Sequence, residues 1–282
     1  MDGKIPASRP LVNNFIKPAL INFSIMPEVI KVKGLHKRYG KIEVLKGIDL
    51  SIQTSELIGY IGPNGAGKST TIKVLCGLIP EFDGEVQVLG IDVRKDPLSL
   101  KKRIGYIPEN AALYETLTPI EFLFFVSQLY ELPTRSAKQK INELLRLFSL
   151  DAAKDKRMSA FSKGMRQKVL LISGLLHNPE VIFLDEPLSG LDANAVILVK
   201  EILTQLKQSG KTIFYSSHIM EVVEKLSDRI LIIDQGLLIA NSSFQELSQQ
   251  ATGSSLEQIF TQLTGQHEQV SVACEVVNII RS

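Results

Sequence analysis

Apolar and polar positions along the chain follow two rhythms. "VIKVKGL" (29–35) and "IDLSIQ" (48–53) alternate, which predicts strands with one wet face. "ELIGYIG" (56–62) and "VIFLDEP" (181–187) are short unbroken apolar runs, the pattern of a strand covered on both faces. "EVQVLG" (85–90), "RIGYIPE" (103–109) and "TIFYSSH" (212–218) read as further strands, the second stopped by Pro108. "RILIIDQGLLIANSS" (229–243) predicts a hairpin turning at Gln235-Gly236.

Helical spacing fills the intervals. A helix is expected over 68–78, another in "AVILVKEILTQLKQSG" up to Gly210, and another in "IMEVVEKLS". Residues 118–168 read as mostly helix. "TPIE" sets Thr118 as N-cap, Pro119 at the first helical position and Glu121 three residues on, a capping box. Phe122, Leu123, Phe124, Phe125 and Val126 follow, apolar nearly all round, so this helix is expected to be buried on more than one side. A second helix is expected over about 136–149. Most of these aromatics are read as core, with one or two facing a partner. Strand alternating with helix predicts an α/β fold with a mainly parallel sheet. The early alternating strands form an N-terminal antiparallel β lobe, and the stretch from about 110 to 168 an inserted helical subdomain.

Composition adds bounds. The 282 residues are 44% hydrophobic and 22% charged, enough for a substantial core. Net charge is +2, which carries no electrostatic footprint for nucleic acid. Two cysteines, Cys76 and Cys274, cannot build a disulfide framework and fit a reducing compartment. No apolar run reaches the roughly 18 residues of a membrane span. Residues 1–26 have a weak apolar run interrupted by Lys17 and Pro18, and are read either as a loosely ordered extension or as preceding a start at Met26.

The chemistry begins at "GPNGAGKST" (62–70), which follows a buried strand and opens a helix. Gly62, Gly67, Lys68 and Ser69 occupy the fixed places of the phosphate-binding P-loop. With Asn64, Gly65 and Thr70, the backbone N–H groups and the helix N-terminus form a cradle for phosphate oxygens. Lys68 is expected to reach the β- and γ-phosphates, and Ser69 to hold Mg²⁺. Asp185 and Glu186, at a later strand exit, suit the metal and the attacking water respectively. A separate stretch, "FSKGMRQKVLLISGLL" (161–176), sets Ser162 and Gly164 where a helix begins and N–H groups lack partners, a place suited to an anion.

Taken together and in this order, these motifs resemble the ATP-binding subunit of an ABC transporter, over about 29–243. Tyr39 in "KRYG" is similar to the family's adenine-stacking aromatic. "FSKGM" stands at the signature loop, "SGLD" (189–192) at the D-loop, and "SSH" ends in the switch histidine, His218. The resemblance implies a P-loop ATPase using ATP and Mg²⁺, with Glu186 and His218 catalytic. It implies a second cassette, whose signature loop closes over the first one's γ-phosphate through Ser162 and Gly164. Asp192 would position His218 or serve the other subunit's site. It also implies an integral-membrane permease partner and a place on the cytoplasmic face of the membrane.

Three departures from the family pattern matter. The common signature L-S-G-G-Q reads Phe161-Ser162-Lys163-Gly164-Met165 here, and Lys163 either adds a cation near the γ-phosphate or points to solvent. The Q-loop place is held by Glu109, an oxygen donor that can still contact Mg²⁺. Residues 244–282 form a tail outside the cassette core, read as a short amphipathic helix packed on its own domain with Leu256, Ile259, Phe260 and Leu263 on one face. With "ENAALYETLTPIEFL", this tail leans the resemblance toward ABC-2 exporters. A soluble ABC ATPase acting on ribosomes or nucleic acid, and the ATPase of an importer, are the alternatives.

Overall fold

The computed structural model describes residues 27–109, 113–250, 254–265 and 276–281. The expected extension 1–26 and Cys274 lie outside them. Two long alternating strands, β1 (Glu28–Tyr39) and β2 (Ile42–Gln53), open the chain; β3 (Leu57–Ile61) follows and leads through the P-loop into α1 (Lys68–Leu75). Next come β4 (Asp83–Val88), β5 (Ile91–Asp92), α2 (Pro97–Arg103) and β6 (Ile104–Ile107). The helical subdomain holds α3 (Pro119–Leu129), α4 (Thr134–Leu147) and α5 (Lys163–Leu175). Alternation resumes with β7 (Val181–Asp185), α6 (Ala193–Gln208), β8 (Thr212–Ser216), α7 (Met220–Leu226), β9 (Arg229–Asp234) and β10 (Leu237–Ser242). The tail holds α8 (Phe244–Gln250) and α9 (Leu256–Thr264).

The strands form two sheets. One is antiparallel, in the order β2-β1-β4-β5; the other runs β10-β9-β3-β8-β7-β6, parallel except for β10. The unbroken apolar runs fill the centre of the second sheet, because each of their side chains meets a core. Leu57, Ile61, Ile182, Leu184, Ile213, Tyr215, Ile230 and Ile232 face one buried cluster. Their alternate neighbours Ile58, Tyr60, Val181, Phe183, Phe214, Leu231 and Ile233 face the other. This sheet is therefore a wall between two hydrophobic cores, and period-2 geometry turns one continuous run toward both. The α/β class, the mainly parallel sheet and the antiparallel lobe all match the pattern read from sequence.

Local signals hold where the chemistry is explicit. Thr118 Oγ1 accepts the Glu121 N–H at 3.2 Å, and the Glu121 carboxylate accepts the Thr118 N–H at 2.9 Å, completing the capping box. The β9–β10 hairpin turns with φ of 47° at Gln235 and 84° at Gly236, the paired left-handed turn that favours glycine.

Three expectations shift. The helix expected over 68–78 ends at Leu75, where Cys76 caps it and Gly77 takes φ of 64°. α3 is not buried on several sides: it buries Phe122, Leu123 and Ser127 and exposes Phe125 and Leu129. The small Ser127 Oγ bonds the Phe124 carbonyl at 2.7 Å, so a residue that reads as polar turns inward. The tail helix packs on its own domain as read, Leu247, Leu256, Ile259 and Phe260 joining the main buried cluster, but Leu263, read on the same face, stays 43% exposed.

Candidate nucleotide site

The site forms where the central parallel strands end. β8 lies between β3 and β7, with Ser216 in register with Tyr60 on one side and Asp185 on the other. The loops leaving these three strands therefore share one crevice, the usual ligand position in an open α/β sheet. Its cleft of about 400 Å³ is lined by Asn64, Gly65, Gly67, Lys68, Ser69, Thr70, Glu109, Asp185, Glu186 and His218, together with Val44 from β2.

Packing shapes the P-loop. A Cβ at Gly62 would fall 2.2 Å from the Ile233 carbonyl oxygen, so only glycine lets the loop press against β9. Gly67 takes φ of 114°, in the left-handed region, and starts α1 directly behind it. Lys68, nearly buried, donates to the Gly62 and Pro63 carbonyls at 2.6 and 3.1 Å, so its ammonium stands inside the curl of the loop. Burial lowers its pKa, while the charges of Glu186, Asp185 and Glu109 oppose that shift.

The acidic side is fixed by Ser216. Its hydroxyl donates to Asp185 Oδ1 at 2.7 Å and accepts the Glu186 N–H at 3.0 Å. Asp185 and Glu186 are 3% and 8% exposed. Glu186 adopts φ of 52°, costly for a residue with a side chain and of the kind that collects at functional sites. Its Oε2 accepts the His218 N–H at 3.1 Å. Its Oε1 lies 3.1 Å from His218 Nε2, yet it is buried without a hydrogen bond. Desolvation raises the Glu186 pKa, against the lowering effects of His218 and Lys68. A nearly buried carboxylate bordering such a cleft can accept a proton from, or orient, a water molecule.

These residues fit a nucleotide with a divalent cation. Among the described residues no three His, Cys, Asp or Glu side chains form a metal site by themselves. Mg²⁺ does not require one, because it commonly uses one or two carboxylates with substrate phosphates. Ser69, Asp185 and Glu109 all line the cleft that would supply those phosphates.

The remaining expected residues lie elsewhere. Tyr39 ends β1, half exposed, with Lys37 Nζ 4.8 Å from its ring centroid. Ser162 is exposed and caps α5, its Oγ accepting the Met165 N–H at 3.2 Å, which leaves its O–H able to donate. Asp192 caps α6 through the Ala195 N–H at 2.9 Å and lies 3.6 Å from Lys168 Nζ, with most of its side chain exposed. Sequence reading passed over Ser216, which fixes both acids, and over Gln167, 2% exposed, which donates to the Pro187 carbonyl at 3.2 Å. A serine inside an apolar strand and a glutamine on the inner face of a helix were the available signals.

Comparison with known proteins gives a consistent picture. The ABC transporter family model matches residues 45–189. An uncharacterized ABC transporter ATP-binding protein of Nostoc is 43% identical, over 78% of this chain and 68% of its own. The linearmycin resistance ATP-binding protein LnrL of Bacillus subtilis is 39% identical, over 82% of this chain and 74% of its own. A dimeric ATP-binding cassette solved in a post-hydrolysis state with ADP and Pi superposes with a TM-score of 0.70 at 25% identity, covering 76% of this chain and 98% of that one.

Proposed function

The chain belongs to the ABC transporter family of ATP-binding proteins, and from that premise we propose that two such cassettes sandwich ATP to drive a separate membrane permease, in an exporter. The chain binds and hydrolyses ATP. The reading beyond that rests on one observation: the cleft gathers the P-loop, Asp185, Glu186 and His218, while Ser162 sits outside it, exposed at the start of α5. A helix N-terminus with free donors suits an anion. In this reading the anion is the γ-phosphate held by the P-loop of a second cassette.

The residues take these roles. P-loop amides, Asn64 and Thr70 hold the phosphates, and Lys68 neutralises their charge. Tyr39 stacks on adenine. Ser69, Asp185 and Glu109 hold Mg²⁺, which, when bound, polarises the γ-phosphoryl oxygens. Glu186 orients and deprotonates water, and His218, against that carboxylate, holds its orientation. Asp192 serves the neighbouring site from the start of α6. The cassette spans 28–243, with its helical subdomain at about 110–168.

No helix among the described residues is long and apolar enough to cross a membrane. A membrane partner is supported by surface chemistry instead. An apolar cleft of about 290 Å³, lined by Leu78, Val126, Leu129 and Tyr130 among others, opens between the segment that follows α1 and the end of α3. Leu78 and Leu129 of its lining are exposed, and so is Phe125 on the same helix as Leu129, a combination that marks a protein-binding surface. The export direction is supported by the likeness to LnrL, a resistance protein. Two measurements test the reading. ATPase rate per subunit is expected to rise with protein concentration, and the chain to co-purify from solubilised membranes with a polytopic protein encoded beside it. A concentration-independent rate from a monomer, or co-purification with ribosomes in place of a membrane protein, would overturn it.

A further inference from the structure

The lysine that departs from the family's signature is exposed, yet its ammonium is engaged. α5 lies with its first turns against residues 187–192, the segment leaving β7. Lys163 Nζ donates to Ser189 Oγ at 2.7 Å. Its aliphatic stem covers Gly190, where an added Cβ would fall 2.9 Å from the lysine Cγ and Cδ. Gly164 is equally close: a Cβ there would fall 2.6 Å from the Gly190 carbonyl oxygen. Gln167 and Lys168 continue the seam through Pro187 and Asp192. The segment itself is tied to the backbone of Glu186, since the Ser189 N–H donates to the Glu186 main-chain carbonyl at 3.1 Å.

A short chain of contacts thus runs from Glu186 through Ser189 to Lys163, whose neighbour is Ser162. The seam's inner contacts, at Gly164 and Gln167, involve backbone, and the Lys168–Asp192 pair joins two side chains at its rim. The Lys163 bond is made by a side chain with freedom to leave. Its partner is a neutral hydroxyl, and among the described residues no carboxylate lies within 4.0 Å of the ammonium. A lysine placed mainly for charge pairing would have an acid there. This one has a hydroxyl fixed on the loop that follows Glu186.

We propose that Lys163 is a positioning residue that ties the start of α5 to Ser189, so that the loop offered to the partner's ATP is held in register with the carboxylate acting on this subunit's own ATP. The inference rests on the two-cassette reading above. Lys163 acts through Ser189 and touches no phosphate. Loosening the tie lets Ser162 wander from the pose that closes a second cassette, so closure weakens while nucleotide binding by one subunit does not.

The test uses the full chain carrying Glu186→Gln, with ATP-dependent dimerisation measured by sedimentation. Lys163→Met keeps the stem and removes the donor. It is expected to weaken dimerisation roughly tenfold, the scale of one hydrogen bond to a charged group, with ATP affinity of the monomer and melting temperature unchanged. Ser189→Ala should give the same loss, the double variant no further loss, and Lys163→Arg should recover part of it. If Lys163→Met weakens dimerisation while Ser189→Ala does not, the lysine acts on phosphate and the inference is wrong. Equal dimerisation in every variant also overturns it and leaves the two-cassette reading standing. Failure of Glu186→Gln alone to dimerise with ATP removes both.

Discussion

In the proposed reading the P-loop cleft and the start of α5 both meet phosphate, and they are built in opposite ways. In the cleft, Lys68, Asp185 and Glu186 are nearly buried; Lys68 is held by its own loop, and the two acids by residues at the exit of β8. At α5, Ser162 and Lys163 are exposed, held by one capping bond and one bond to Ser189. Burial inside one chain makes the first site complete on its acidic side. Exposure leaves the second with donors and no anion of its own. The contrast suggests a division of labour, in which one region binds nucleotide alone and the other acts when a neighbour arrives.

The largest effects should separate the regions by what is lost. Glu186→Gln removes the proton acceptor but keeps the P-loop, so turnover is expected to fall by about 10²–10⁴-fold while ATP binding survives and an ATP-bound dimer accumulates. Multiple-turnover phosphate release with parallel sedimentation measures both. Near-normal turnover would remove Glu186 from the chemistry. Ser162→Arg places bulk and charge on the exposed cap. Its turnover should fall at least about tenfold, the scale of a lost charge-assisted contact, with nucleotide affinity of the single subunit unchanged. Loss of both together would make α5 part of the cleft's scaffold and end the division drawn here.

A smaller effect probes the cleft's rigidity. Gly62→Ala must push the loop off the Ile233 carbonyl, 2.2 Å from the new Cβ. Overpacking of this kind costs about 1–3 kcal/mol, read as a lowered denaturation midpoint together with weaker nucleotide binding. Gly164→Ala makes a similar collision, 2.6 Å from the Gly190 carbonyl. It should lower stability to a similar degree and leave nucleotide binding intact. The two variants therefore distinguish the regions by their second readout.

How much of this was legible in the sequence follows the same contrast. The cleft was readable because its parts obey local rules. A glycine-lysine loop between a buried strand and a helix has few other uses, and two acids ending an apolar run must lie at a strand exit. The hairpin at Gln235-Gly236 and the capping box at Thr118 are equally local. Long-range packing was not readable. Nothing in "FLFFV" says that Phe125 faces out while Ser127 turns in, because that depends on where α4 and α5 stand. The joining of α9 to the main core depends on α7, with Leu256 N–H donating to Glu224 at 2.9 Å. The Lys163–Ser189 bond spans 26 positions and could not be seen before the fold brought the two together.

The smallest expected effect is one of stability, and it runs opposite to activity. Desolvation holds the Glu186 pKa above the ordinary carboxylate value, even though His218 and Lys68 pull it down. The folded state therefore binds this proton more readily than the unfolded chain does. Stability linked to the protonated form is present below the unfolded pKa and is lost as pH rises through the folded one. At neutral pH the ionised carboxylate thus weighs against folding, and a neutral amide of the same shape relieves that cost. Without nucleotide, Glu186→Gln should melt slightly higher than the parent at neutral pH, and the difference should shrink as pH falls through the Glu186 pKa. Ser162→Arg, at an exposed cap, should show no such pH-dependent gain. A variant Glu186→Gln that melted lower at neutral pH would mean that the ionic contacts with His218 and Lys68 outweigh burial. The cleft would then be held together by its charges, and its resemblance to the loosely tied start of α5 would be closer than the burial of its side chains suggests.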